Sequence, residues 1–269
     1  MGGDFVLDDS IANQISRAAE LIRQSDSILF ITGAGISADS GLPTYRGVGG
    51  LYDGQVTEDG VRIEQALSAS MFRRRPELTI KYLLQVGRAV SAHTFNPAHS
   101  VIAGLEKTKS RVWVLTQNID GYHFAAGSRN VIEIHGSMWR IRCESCGHLE
   151  KISTFSDQPT LQSCSQCSTI MRPDVVLFDE MLPLPALEQL ESQLQNGFEL
   201  IVSVGTSSQF AYIVHPILAA VQAGIPTIEI NPAESTELSS IVDLHIRMGA
   251  AKALVGIAGI LELPTHSDA

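Results

Sequence analysis

The four cysteines of the chain stand as two pairs, Cys143-x-x-Cys146 and Cys164-x-x-Cys167. A C-x-x-C turn sets two thiolates along one edge of a tetrahedron, and two such turns close a four-sulfur zinc site. Four protein ligands leave no open position, so the spacing predicts a structural Zn2+ rather than a catalytic one. Disulfides and thiol redox chemistry are the competing uses. A reducing compartment disfavours the first, and neither pair opens a helix after a strand as a thioredoxin-like site does.

A second chemistry is written in Ser27 to Arg46, SILFITGAGISADSGLPTYR. The apolar run Ile28 to Thr32 ends on Gly33, Ala34 and Gly35 and enters a short helix. Glycines let the backbone approach a phosphate, and the N–H groups of a helix start favour an anion. G-A-G-I-S-A fits the permissive dinucleotide fingerprint, with Ala38 in the third place. A tight strand-to-helix turn without a ligand would need the same glycines. It would not need the polar groups that follow at Ser37, Ser40, Thr44 and Arg46.

These groups have to be positioned by a scaffold, and the chain order shows which. Asp9 or Ser10 can cap a first helix whose face carries Ile11, Ile15, Ala18 and Ile22. Apolar runs then predict strands at Ser27–Thr32, Arg111–Thr116, Val131–Ile134, Asp174–Phe178, Glu199–Val204, Pro226–Ile230 and Val242–Ile246. Ile63 to Ala92 reads as helical, broken near Pro76. Pro97 opens a further helix with Asn96 as its cap. Pro185–Asn196 and Phe210–Ala223 are helical as well. Near-continuous apolar strands separated by helix-length segments imply an α/β fold, with a mostly parallel sheet covered on both faces. Ligands bind beyond the carboxyl ends of such strands. Short polar clusters recur there: Gly33 to Ser37, Thr116 to Asp120, His135 to Ser137, Asp179-Glu180, Gly205 to Ser208 and Asn231. Val48 to Gly60, rich in glycine, reads as a mobile loop able to cover the glycine turn.

Composition narrows the class. With 269 residues and 44% hydrophobic content the chain can bury one large domain, or one domain with a smaller lobe. A net charge of −10 disfavours duplex nucleic acid as a partner. No apolar run is long enough to span a bilayer, and the first residues lack the pattern of a secretory signal. The expectation is a cytoplasmic protein with no membrane association.

In combination the motifs resemble the sirtuins of the bacterial type, the Sir2-like NAD-dependent protein deacylases. GAGISADSGLPTYR, TQNID, HGS, the two C-x-x-C pairs, VVLFDEMLP and GTSS follow one another in the family's order over about Ser27 to Asn231. The resemblance implies a Rossmann-like, doubly wound domain formed by residues 1–47, 96–140 and 173–269. It also implies a small lobe made of a helical insertion, 48–95, and a zinc ribbon, 141–172. It assigns the NAD co-substrate to Gly33, Ala34, Gly35, Ser37, Tyr45, Arg46, Gln117, Asn118, Asp120, Gly205, Thr206, Ser207, Asn231 and Ala250. Of these, Asn118 and Asp120 would face the nicotinamide ribose and carboxamide, and Tyr45 and Arg46 would close over that end. His135 would be the general base, with Asn118 beside it in the catalytic set. Val176, Leu177, Phe178 and Glu180 would pair with an acyl-lysine protein or peptide as an added strand. The products would be free lysine, nicotinamide and O-acyl-ADP-ribose. The remaining histidines, His93, His99 and His215 among them, read as structural.

The chain departs from the family pattern in places. Tyr45 stands where the family has Phe, and Asp179 replaces the Gly of Phe-Gly-Glu. Members that remove succinyl or malonyl groups carry Tyr-x-x-Arg in the helical lobe, and alignment through Arg75 to Leu78 puts Leu83 and Val86 there. The expectation is acetyl or longer apolar acyl groups. Three other readings compete. ADP-ribosyl transfer or NAD hydrolysis on the same fold needs no base on a ribose hydroxyl. A non-catalytic nucleotide-binding module needs no Asn118, Asp120 and His135. A plain oxidoreductase needs an acid at the end of the second strand, and Asp53 follows no strand.

Overall fold

The computed structural model describes residues 9–44, 56–155 and 162–263. The chain opens with α1 (Asp9–Gln24), β1 (Ser27–Thr32) and the one-turn α2 (Ala34–Ala38). A helical segment follows, with α3 (Ile63–Ala66), α4 (Ala69–Arg74) and α5 (Pro76–Ser91), and then α6 (Pro97–Thr108). Next come β2 (Arg111–Thr116), α7 (Tyr122–Ala125) and β3 (Val131–Glu133). The ribbon strands are β4 (Gly136–Cys143), β5 (Leu149–Lys151) and β6 (Met171–Val175). The chain returns through α8 (Leu184–Gln195), β7 (Leu200–Val204), α9 (Ala211–Gln222), β8 (Thr227–Ile230), β9 (Leu244–Ile246) and α10 (Ala250–Leu261).

Six strands form one parallel sheet in the order β3-β2-β1-β7-β8-β9. In β1 every residue after Ser27 is buried, which is what a central strand covered on both faces requires. Alternate side chains serve opposite layers. Ile28 and Phe30 join the core formed with α1, α6 and α10, while Leu29 and Ile31 join the one formed with α8 and α9. Among the described residues no helix is long and apolar enough to cross a membrane.

Caps and prolines set the helix boundaries. Asn96 accepts a hydrogen bond from the Ala98 N–H at 2.9 Å, with Pro97 in the first turn of α6. Such a cap contributes about 1 kcal/mol. Ser68 caps α4 in the same way, through the Met71 N–H at 3.1 Å. Pro76 starts α5 because its missing N–H costs nothing in a first turn. These helices pack on Met138, Val175 and Leu177 in a core of their own.

One expectation about the elements changes. Asp174–Phe178 is not a strand of the parallel sheet. The strand lies earlier, at Met171–Val175, and pairs antiparallel with β4 in the three-stranded sheet β5-β4-β6. The apolar residues Val175 and Leu177 are explained by burial against the helical segment, not by a place in the main sheet. The C-terminal α10, for which the apolar runs of the sequence give no expectation, fills the layer beside α1 and α6.

Candidate active site

The strand order reverses between β1 and β7, since β2 continues to one side of β1 and β8 lies beyond β7. The loops after these two strands meet there. Gly35 donates its N–H to the Gly205 carbonyl at 2.8 Å, and Gly33 donates to Val204 at 3.1 Å. A Cβ on Gly35 would lie 2.6 Å from the Gly205 Cα, and Gly205 itself has φ +60°. The glycines are thus required by the contact between the loops. The Gly33 and Gly35 N–H groups are engaged by protein carbonyls and do not point outward as free donors. Thr206 ties the cluster together. Its Oγ1 accepts from the Gln117 side chain at 2.7 Å and from the Ser208 N–H at 3.1 Å. Asn231, after β8, donates to the Thr206 carbonyl at 3.0 Å.

Ser37 is the hub of the buried part. Its hydroxyl donates to Asp120 Oδ2 at 2.7 Å and accepts from Asn118 Nδ2 at 3.1 Å. Asn118 also donates to the Gly33 carbonyl at 3.1 Å. Asp120 Oδ1 accepts the Tyr122 N–H at 2.9 Å. Burial raises the Asp120 pKa, and the bonds from Tyr122 and Ser37 oppose that. Beside this network lies a cavity of about 50 Å³, lined by Ala34, Ser37, Leu42, Pro43, Val86, Ala89, Val90, Asn118, Ile119 and Asp120. Among these lining residues Asp120 is the single ionisable group. Leu83 is buried in the core of the helical segment.

His135 ends the stretch that begins with β3. The next residue, Gly136, turns the chain into the ribbon sheet with φ +78°, and a Cβ there would sit 2.0 Å from the Asp174 carbonyl. No other residue fits that turn. His135 Nδ1 lies 2.9 Å from the Gln117 carbonyl, and Nε2 lies 2.6 Å from the Tyr212 hydroxyl. Burial lowers the imidazole pKa, with the Gln117 bond acting the other way.

The segment after β6 runs between His135 and the helical segment. Val176 donates its N–H to the His135 carbonyl at 2.9 Å. Phe178 donates to Leu67 and accepts from Ala69, both at 3.0 Å. Leu177 donates to Glu180 Oε2 at 2.8 Å, and the Glu180 carboxylate also meets the fully buried Arg172. Glu180 therefore closes this loop on itself. Asp179 has φ +61°, the left-handed region where the family's glycine is at ease, and its carboxylate accepts the Ala69 N–H at 2.8 Å.

The cysteines converge as their spacing predicts. Their four sulfurs lie within 4.8 Å of one another, and none is in a disulfide. Sγ–Sγ separations of 3.4, 3.6 and 3.7 Å approach the ~3.8 Å edge of a tetrahedron with Zn–S near ~2.3 Å.

Other predicted positions vary. Ser207 is exposed, whereas the neighbouring Ser208 is buried with no partner for its hydroxyl among the described residues. Ala250 is buried in the core at the start of α10, and the next N–H, from Ala251, is taken by Asp39 at 2.9 Å. Tyr45, Arg46 and most of the expected lid loop lie outside the described residues. Sequence reasoning gave no role to Tyr212 or Arg172 and none to Ser208 beyond its place in the Gly205–Ser208 cluster; His99 and His123 are buried, in keeping with their structural reading. Tyr212 carried one signal: it stands two residues past Phe210, directly after the GTSS cluster.

The parallel sheet, the polar loops gathered at its switch point and the four-thiolate ribbon define a Rossmann-type nucleotide-binding protein with an inserted small lobe. Within that class the chain belongs to the Sir2 family, whose pattern residues 33–212 match. It is 48% identical over 238 residues to NAD-dependent protein deacylase 2 of Pseudomonas syringae pv. tomato, covering 87% of this chain and 95% of that protein. The protein of the same name from Pseudomonas aeruginosa is also 48% identical, covering 86% and 91%. Among solved structures, a Sir2 homologue in complex with NAD superposes with a TM-score of 0.83 at 33% identity, covering 92% of this chain and 94% of that one.

Proposed function

We propose that this chain is an NAD-dependent protein-lysine deacylase that transfers an acyl group from lysine to ADP-ribose, releasing nicotinamide. The observation that carries the reading is His135, a half-buried imidazole whose Nδ1 faces the carbonyl of Gln117, the residue next to Asn118, which leaves Nε2 as the proton acceptor. The curated relatives are named for this activity. A Sir2 homologue 32% identical to this chain has been solved with 2′-O-acetyl ADP ribose, which is the product class expected.

The donor set fits NAD. The unpartnered Ser208 hydroxyl in the loop after β7 suits a phosphate, and the amides and hydroxyls of Gln117, Thr206 and Asn231 suit ribose. Bound NAD supplies an electrophilic ribose carbon and the hydroxyl that takes up the acyl group. The chain's residues do the rest. Asp120 can accept a carboxamide N–H, Asn118 is held toward the same cavity, and His135 Nε2 can accept the hydroxyl proton. Its lowered pKa keeps it neutral, hence basic, across neutral pH. The 176–178 segment forms the wall for an acyl-lysine peptide; its N–H groups and the Leu177 and Phe178 carbonyls are engaged within the protein, so among the described residues the Val176 carbonyl is what it offers the peptide backbone. Zn2+ suits the four cysteines as a structural ion.

With Val86 on the cavity wall and Leu83 buried, the described lining residues include no cation for an acidic acyl group, which favours acetyl or longer apolar chains. The test is mass spectrometry of the products from NAD with acetyl- or succinyl-lysine peptide, using the native chain and His135→Ala. We expect O-acetyl-ADP-ribose from the native chain, a loss of at least about a hundredfold in the variant, and little turnover of succinyl peptide. Nicotinamide release with the peptide left acylated would replace this reading by ADP-ribosyl transfer or NAD hydrolysis. A preference for succinyl would overturn the acyl assignment alone.

A further inference from the structure

We infer that Tyr212 is a positioning residue for His135: its hydroxyl holds the Nε2 lone pair in line until a ribose hydroxyl of the co-substrate takes its place. The inference rests on His135 being the base.

The tautomer follows from the partners. The Gln117 oxygen is a carbonyl and can only accept, so Nδ1 carries the hydrogen across that 2.9 Å contact. Nε2 is then a lone pair, and across 2.6 Å the Tyr212 hydroxyl donates to it. Burial holds the Tyr212 pKa at about 12, so the phenol keeps its proton at any working pH.

The ring cannot drift from this position. Phe210 stacks on Tyr212 with centroids 5.4 Å apart and planes 13° from parallel. Both rings meet the imidazole edge-on, at 6.0 and 5.9 Å. Phe210 and Tyr212 directly follow the Gly205–Ser208 loop, so the part of the chain that would hold the co-substrate also carries the partner of the base.

One lone pair accepts one donor. A ribose hydroxyl that gives its proton to Nε2 must approach along the line that Tyr212 occupies. The ribose O–H bond then breaks and the Nε2–H bond forms, giving an imidazolium. Tyr212 remains a neutral phenol throughout. Its oxygen, now facing an N–H donor, can accept a hydrogen bond from the imidazolium. The same side chain thus aligns the base before transfer and serves the conjugate acid after it.

Among the described residues the groups facing the ring are few. They are the Gln117 carbonyl after β2, the Tyr212 hydroxyl and the Phe210 ring at the start of α9. The Val176 N–H, after β6, meets the His135 carbonyl. Among the described residues no ion pair involves His135, and the nearby Glu133 is paired with Arg140 at 2.8 Å. Because Tyr212 donates to the neutral imidazole through a neutral bond and accepts from the imidazolium through a stronger, charge-assisted one, it favours the charged form, and its loss lowers the His135 pKa. The difference between the two bonds corresponds to about half to one pH unit.

The experiment compares the intact chain with Tyr212→Phe, which deletes the hydroxyl and keeps the stacked ring. Histidine is labelled with nitrogen-15 and His135→Ala assigns the signal. Long-range proton–nitrogen spectra are followed against pH. We expect the Nδ1–H tautomer in the native chain and a midpoint moved down by about half to one unit in Tyr212→Phe. The acid limb of kcat/KM for an acetyl-lysine peptide should move by the same amount. An unmoved midpoint overturns the inference. A moved midpoint with an unmoved acid limb overturns the base role of His135, and the positioning role with it.

Discussion

Ser37 connects side chains from two other places in the chain, Asn118 and Asp120 after β2 and His99 in α6, and this shapes what each can do. Its hydroxyl has one hydrogen, and it is spent on Asp120. It can therefore only accept from Asn118 and from His99, whose Nε2 lies 3.5 Å away. His99 packs edge-on against His123 at 4.9 Å, and His123 bonds Thr32 at 3.0 Å. Burial drives the His99 pKa to about 4 and that of His123 well below the usual value. Both are neutral when folded and take up protons when unfolded. Stability is then complete above about pH 6.5 and lost as pH falls toward about 4. His99 alone accounts for about 3 kcal/mol over that window. Urea midpoints measured from pH 7.5 to 5 should fall for the native chain and fall less for His99→Gln; parallel curves would exclude the assignment. Ser37, Asn118 and Asp120 were legible in the sequence because each follows an apolar run within a few residues. His99 and His123 were not, because each sits inside a helix and acquires its partner only when α6 and α7 pack together.

Among the elements, the loop after β6 shows how a departure from a family pattern can be absorbed. Asp179 accepts a left-handed backbone that glycine would adopt freely, and in return its carboxylate fastens the start of α4. The bonds from Ala69 and Ser70 hold its pKa below the usual carboxylate range. Restoring glycine removes both the strain and the tether, whereas alanine removes only the tether. The melting temperature should accordingly fall further for Asp179→Ala than for Asp179→Gly, and the reverse order would show that the tether is inert. The strands of the parallel sheet were legible because each is a short apolar run buried on both faces. The ribbon strands were not. β4 reads GSMWRIRC, with neither continuous apolarity nor clean alternation, and β5 has three residues. Their pairing is set by the cysteine turns and by Gly136, which periodicity does not report.

Across the whole molecule, Arg172 joins the ribbon to the 176–180 loop, the proposed peptide wall. Its guanidinium is fully buried and meets Glu144, between the first two cysteines, at 2.9 Å. It also meets the Val175 carbonyl at 2.7 Å and the Glu180 carboxylate that closes the 177–180 loop. A metal held by the cysteines therefore braces Glu144, and through Arg172 the wall offered to a peptide. Chelation should raise KM for the acyl peptide before it affects that for NAD, as steady-state kinetics during metal removal would show. Equal changes in the two constants would deny the link. By reciprocity, peptide binding should slow metal release. The alternation of strand and helix made the layers legible from the chain. The central place of β1 was not, because neither hydrophobicity nor spacing encodes which strands are neighbours.

That central place bears on how the protein is made. β1 pairs with β2 on one edge and with β7 on the other, and β7 belongs to the last third of the chain. During synthesis the second edge of β1 stays open while the helical segment, the ribbon and α8 are added. An open apolar edge invites pairing between chains, and closing it across so long a separation is slow. The nascent chain is therefore most exposed to self-association just before β7 emerges. The loops after β1 and β7 meet only then, so the nucleotide site is among the last features of the molecule to form.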